Sequence, residues 1–188
     1  GNVEAYQSLA ARGRHPALAH LVAERGDRAR ARFLRVLSAL AHWEPELAGL
    51  PYMPALVWPM AEAFGIDGIF VFEFVVSFLR SWGRGWLDCA PHPPTCAVAL
   101  VSELLEASDA ELFAHLAACS CDVRGRPSPL ASAAIWPLLG TMMSDVLHRA
   151  DWVALWDFLV AHWHQPELYG ACVAVVLRRR RAELLALP

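Results

Sequence analysis

Residues 134–160 constrain this fold more than any other stretch. They read Ala-Ile-Trp-Pro-Leu-Leu-Gly-Thr-Met-Met-Ser-Asp-Val-Leu, then His-Arg-Ala-Asp, then Trp-Val-Ala-Leu-Trp-Asp-Phe-Leu-Val. That is the pattern of two apolar helices meeting at a short polar corner, with the corner at His148 to Asp151. Asp151 is placed to cap the second helix, because its carboxylate can accept free N–H groups of a first turn. From there Trp152, Leu155, Trp156 and Leu159 recur at helical steps and share one face. Such a face must be buried, so the tryptophans read first as core packing.

The rest of the chain agrees with a helical core. Its 188 residues suffice for one sizeable core, and 56% of them are hydrophobic, including eight tryptophans. Mean hydropathy is +0.34. The expectation is an all-α, single-domain fold in which many helices are wholly buried. Net charge is −3, so no global basic field recruits nucleic acid. All 16 basic residues are arginine, which in so alanine-rich a chain reads as genome composition. Five cysteines, an odd number, without a secretory start suggest free thiols in a reduced, cytosolic setting. The best candidate membrane span, Phe64 to Leu79, is broken by Asp67 and Glu73. It reads as a buried helix, and no transmembrane segment is expected. The abrupt start at Gly1 suggests a segment of a longer protein.

Taken in order, Asn2 can cap a first helix over 3–12, which Gly13 ends. Pro16 opens a second, 16–24. Asp27 caps a third over 28–43, with Phe33, Leu34, Leu37, Leu40 and Ala41 as its apolar face. Arg28, Arg32 and Arg35 line another face, as a solvated stripe or a patch for an acidic partner. Pro51 and Pro54 make a stiff corner before a helix over 55–64, which Pro59 should kink. The next helix, 69–82, is apolar nearly all round and reads as the central buried one. Glu73 on it must meet an arginine or reach solvent. Helices follow over 95–106 and 109–118, the latter capped by Ser108 with Glu111 in the capping-box position. Residues 119–128 read as a loop. A last helix starts at Pro166 and runs through Arg178–Arg181, four arginines expected mainly in solvent at a helix C-terminus. No convincing strand and no fixed-period repeat appears.

Few residues suggest chemistry. Cys89, His92 and Cys96, with Cys119 and Cys121, carry ligand types, but structural zinc sites usually show paired Cys-x-x-Cys knuckles, absent here. His162 and His164 fall on different helix faces. No Walker-type loop, Gly-x-Ser-x-Gly, His-Glu-x-x-His or dinucleotide fingerprint is present. A catalytic Cys–His pair has no local signature. No metal and no cofactor is expected, and the chain reads as a binding or regulatory helical domain.

The ordered features resemble a TBC domain, the all-helical module of Rab GTPase-activating proteins. Trp136 with its apolar run, then Val153-Ala-Leu-Trp156-Asp157-Phe-Leu, is similar to that family's tryptophan helix and its Leu/Ile-Trp-Asp helix. Leu37-Ser-Ala-Leu-Ala-His-Trp-Glu-Pro45-Glu-Leu-Ala-Gly49 is similar to its Val-Leu-x-Ala-Tyr-x-x-x-Asp-Pro-x-x-Gly segment. With the Trp82 to Pro94 loop, the set is most similar to the ciliary, WD40-repeat-bearing branch. The resemblance covers nearly the whole chain and implies one TBC domain over 1–188, its N-terminal part shorter than usual. It implies a Rab-family small GTPase in its GTP form as partner, and ciliary scaffold proteins as further partners. It also implies a cytoplasmic location at a cilium, flagellum or basal body.

The family activates hydrolysis in its partner and has no turnover of its own. It inserts an arginine against charge developing on the γ-phosphate and a glutamine that orients water; an arginine finger is worth about 10³–10⁵ in rate. Both motifs are damaged here. Where the family has Gly-Tyr-Cys-Gln-Gly, this chain has Gly49-Leu50-Pro51-Tyr52-Met53, so Tyr52 replaces the glutamine. A single hydroxyl mimics an amide poorly. Of the Ile-x-x-Asp-x-x-Arg motif, Tyr6-x-x-Leu9-x-x-Arg12 keeps only Arg12, the candidate arginine finger. The expected function is a RabGAP-like domain with atypical or degenerate fingers in ciliary membrane traffic. The alternative is an inactive helical scaffold for ciliary or centrosomal assembly.

Overall fold

The computed structural model describes residues 31–64, 67–89, 92–119 and 131–186. Every regular element among them is a helix, and the fold is the all-α TBC fold. The chain groups into two compact units, Gly1–His92 and Pro93–Pro188.

In the first unit, α1 is described over 31–43. Phe33, Val36, Leu37, Leu40 and Ala41 are its buried stripe; Val36 joins the expected set, and Leu34 is only half-buried. Pro45 disfavours the α region for Glu44, which is extended at φ −138°, and the helix stops there. Pro45–Gly49 then forms one short 3₁₀ helix. Helix α2, Met53–Phe64, starts two residues before the expected position. Pro54 fits in its first turn, where a missing N–H costs nothing, and Pro59 sits inside it as expected.

Helix α3, Gly68–Arg80, corrects the reading of an all-round buried helix. Asp67 caps it, accepting the N–H groups of Ile69 and Phe70 at 3.1 Å each, so it begins one residue early. Among the described residues only Val71, Val75, Phe78 and Leu79 on it are buried, while Ile69 is 72% exposed and Phe70 44%. It packs on α2, and its first turn also approaches Val36 of α1 at Gly68. Of the two alternatives for Glu73, the structure shows the exposed one. Trp82 lies past the helix end. Gly83 N–H bonds back to Phe78 O at 2.8 Å, and a Cβ at Gly83 would stand 3.2 Å from the Phe78 ring and the Leu79 backbone. Only glycine turns the chain there without displacing its neighbours. The turn delivers Trp86, 1% exposed, edge-on to Phe78 at 5.3 Å and Tyr52 at 6.2 Å.

In the second unit, α4 (Thr95–Ser108) packs on α5 (Ala110–Cys119) and on α8 (Glu167–Arg179). The α4–α8 approach is tight at Gly170, where an added Cβ would sit 3.3 Å from Leu100. Asp109, not Ser108, caps α5, accepting Leu112 N–H at 3.1 Å. Ser108 turns back and donates to Leu105 O, so it closes the preceding helix instead.

The opening helix pair is rearranged. Helix α6, Ser132–Gly140, ends well before the polar corner. Met142 and Met143 adopt left-handed φ of 54° and 63°, which end the helix. Helix α7, Arg149–Ala161, starts before Asp151; His148 holds the cap position without a side-chain bond, and Asp151 lies in the first turn. The corner is therefore 141–148, and its backbone is held by the aromatics. The indoles of Trp152 and Trp156 both donate to Met142 O, at 2.9 and 3.4 Å. Tyr169 donates to Leu139 O at 2.7 Å.

The arginine run is corrected too. The helix breaks at Arg180, and α9 is a short Arg181–Leu185. Arg178 and Arg179 are exposed, but Arg180 donates to Val146 O at 3.0 Å. Arg181 pairs with Asp109 at 2.9 Å and also with Glu111. No helix among the described residues is long and apolar enough to cross a membrane.

Candidate functional site

Tyr52, which the resemblance aligns with the family's glutamine, stands in the turn that leads into α2. It is 8% exposed, and its ring meets the edge of Trp86. Burial, with Cys89 as a lesser cause, pushes its phenol up to about 12, so it is neutral near pH 7. The local sequence explains the placement: Leu47, Leu50 and Met53 around it are all buried, and the 3₁₀ turn folds Tyr52 inward among them.

Arg12 and Arg28 lie outside the described residues. Arg32 and Arg35 do come together. With Ala39 and His42 they form one stripe of α1, at steps of three and four. This stripe is one wall of an open groove of about 730 Å³. The facing wall is the start of α3, with Ile69 and Phe72. Sequence reasoning named the arginines and missed the apolar wall. The clue was present: an Asp67 cap with Ile69 two residues on places that isoleucine in the first turn, at the helix end.

Among the described residues no three His, Cys, Asp or Glu side chains gather as a metal site requires. Among the described residues Cys89, Cys96 and Cys172 are free thiols. Burial pushes the Cys172 thiol up, which disfavours the nucleophilic thiolate.

The chain is 32% identical to TBC1 domain family member 31 of Oryzias latipes over 179 residues, 94% of this chain. It is 32% identical to the Mus musculus protein of that name over 188 residues, 98% of the chain, and 31% identical to the Homo sapiens one over 160 residues, 83% of the chain. The chain belongs to the TBC domain family. This TBC domain spans only 16%, 18% and 14% of those relatives' own lengths. No protein-family model and no solved structure matches it. As a TBC domain it is RabGAP-like in kind.

Proposed function

We propose that this TBC domain binds a Rab-family small GTPase in its GTP form and activates it weakly or not at all. One observation carries the reading: Tyr52, at the glutamine position, is buried against Trp86. A group that orients attacking water must reach that water. A buried, neutral phenol does not, so activation would rest on Arg12 alone or on a glutamine supplied by the GTPase. The domain is read as one TBC module over 1–188 of a longer, cytoplasmic protein, acting in membrane traffic linked to a cilium, flagellum or basal body.

Single-turnover GTP hydrolysis by a panel of Rab proteins at saturating domain tests this, wild type beside Arg12→Ala. The expected outcome is GTP-dependent binding to at least one Rab with acceleration far below the 10³–10⁵ or so that an arginine finger supplies. Full acceleration, abolished by Arg12→Ala, would make the domain a working activator despite Tyr52. The loss of both finger motifs also favours a second reading, an inactive scaffold for ciliary or centrosomal assembly. That reading requires that no GTP-loaded Rab binds.

A further inference from the structure

We propose that the groove between α1 and α3 receives a helical segment of a partner protein with an apolar face and an acidic flank. The two walls differ in chemistry. Arg32 and Arg35 bring two guanidinium groups to the α1 wall, while Ile69 and Phe72 make the α3 wall apolar. The floor is narrow: a Cβ on Gly68 would lie 3.5 Å from Val36 Cγ2, so the two helices nearly touch there. Above that contact the groove opens to about 730 Å³.

Ile69 is 72% exposed at the lip of this groove. An apolar side chain beside cations suits an amphipathic helix, which lays apolar anchors into a groove and carries charge along its edge. Guanidinium forks match carboxylates in two-point pairing, so that edge is acidic. The cationic wall is local, since the chain as a whole carries −3.

The other occupants fit less well. A small anion at the α3 N-terminus would need the Ile69 and Phe70 amides, and Asp67 already holds both. A lipid surface wets protruding aromatics and cannot follow a recess between two helices. Nucleic acid needs an extended basic face, and here Asp67 shares the groove with the two arginines.

The test uses the 188-residue chain and no GTPase, so its result stands apart from the Rab reading. The probe is a fluorescein-labelled helical peptide of about 20 residues, with leucine on one face and glutamate along both flanks. One control peptide carries lysine for glutamate, and another carries alanine for leucine. Anisotropy is read at about 0.05 and 0.3 M salt, because screening separates the charge contribution. The leucine–glutamate peptide should bind at least about tenfold tighter than either control, and more weakly in high salt. The Arg32→Glu/Arg35→Glu double variant should lose about tenfold for that peptide and prefer the lysine version. Ile69→Ser should weaken all leucine peptides while keeping the preference for glutamate. Ile69 and Arg35 are exposed and Arg32 half-buried, so these variants spare the core, and unchanged circular dichroism checks this. Unaltered binding by the double variant overturns the proposal, as does no difference among the three peptides. A dimer that Ile69→Ser dissolves also overturns it, by making a second copy of this chain the occupant.

Discussion

Tyr52 is the residue at which family pattern and packing meet. Its environment is that of a core aromatic, with Trp86 and Phe78 in one edge-to-face series. Edge-to-face pairs add about 0.5–1.5 kcal/mol beyond burial, which a glutamine there would forfeit. The raised phenol has a consequence with a definite sign. Its folded value of about 12 lies above the ordinary 10.0, so the fold favours the protonated form. That contribution is complete below pH 10 and is lost as pH rises towards 12. Tyr169, wholly buried, is pushed up in the same direction. Stability measured by urea unfolding should therefore fall between pH 10 and 12, and Tyr52→Phe should flatten the fall. A fall of the same steepness in the variant would place the effect elsewhere.

At the scale of elements, the α6–α7 corner shows how a helix is stopped by tertiary contacts. Two left-handed methionines cost about 1–2 kcal/mol each. Burial of both side chains and the indole bonds to Met142 O offset this. Without Trp152, Met142 O keeps only the longer indole bond from Trp156, at 3.4 Å, whereas without the Tyr169 hydroxyl Leu139 O keeps the backbone N–H of Met142 at 3.2 Å. Trp152→Phe should therefore cost about 1–3 kcal/mol, and Tyr169→Phe less, about 0.5–1.5. Urea midpoints at unchanged slope would order the two, and the reverse order would deny the corner its dependence on indole donors. Arg181 belongs to the same scale. It ties α9 to the start of α5, but its side chain is 42% exposed, so water screens the pair and Arg181→Ala should cost below about 1 kcal/mol. Asp109 keeps its cap to Leu112 in that variant. Amide exchange should quicken in Arg181–Leu185 alone, and quickening through α5 as well would mean that the cap depends on the arginine.

At the scale of the whole molecule, both proposed functions are carried by surfaces. A domain of net charge −3 with one cationic groove wall attracts acidic partners only at short range, within a Debye length of about 8 Å. The hydrolysis panel and the peptide titration therefore read different properties of one domain. The first asks whether Arg12 and Tyr52 act on a bound GTPase, the second what Arg32, Arg35 and Ile69 hold.

Much of this was legible in the chain. Helical periodicity marked the buried stripes of α1 and α7, because a repeat of 3.6 residues survives any particular packing. The end of α1 at residue 43, just before Pro45, could be read directly, because proline acts through its own ring and missing donor. The ordered Trp136, Trp156 and Asp157 pattern pointed to the TBC family, to which the chain belongs. Tertiary structure alone decided what stands against what. Helix α3 is apolar nearly all round in sequence, yet only one face is covered, since periodicity says which faces are apolar and not how many neighbours arrive. The α6 helix stops at Gly140 because donors from residues 152 and 156 are waiting for the freed carbonyl of Met142. Arg32 and Arg35 become one wall of a groove only when Ile69, more than thirty residues on, is folded opposite them. A sequence specifies each side chain's chemistry, and the packed backbone decides which distant group that chemistry faces.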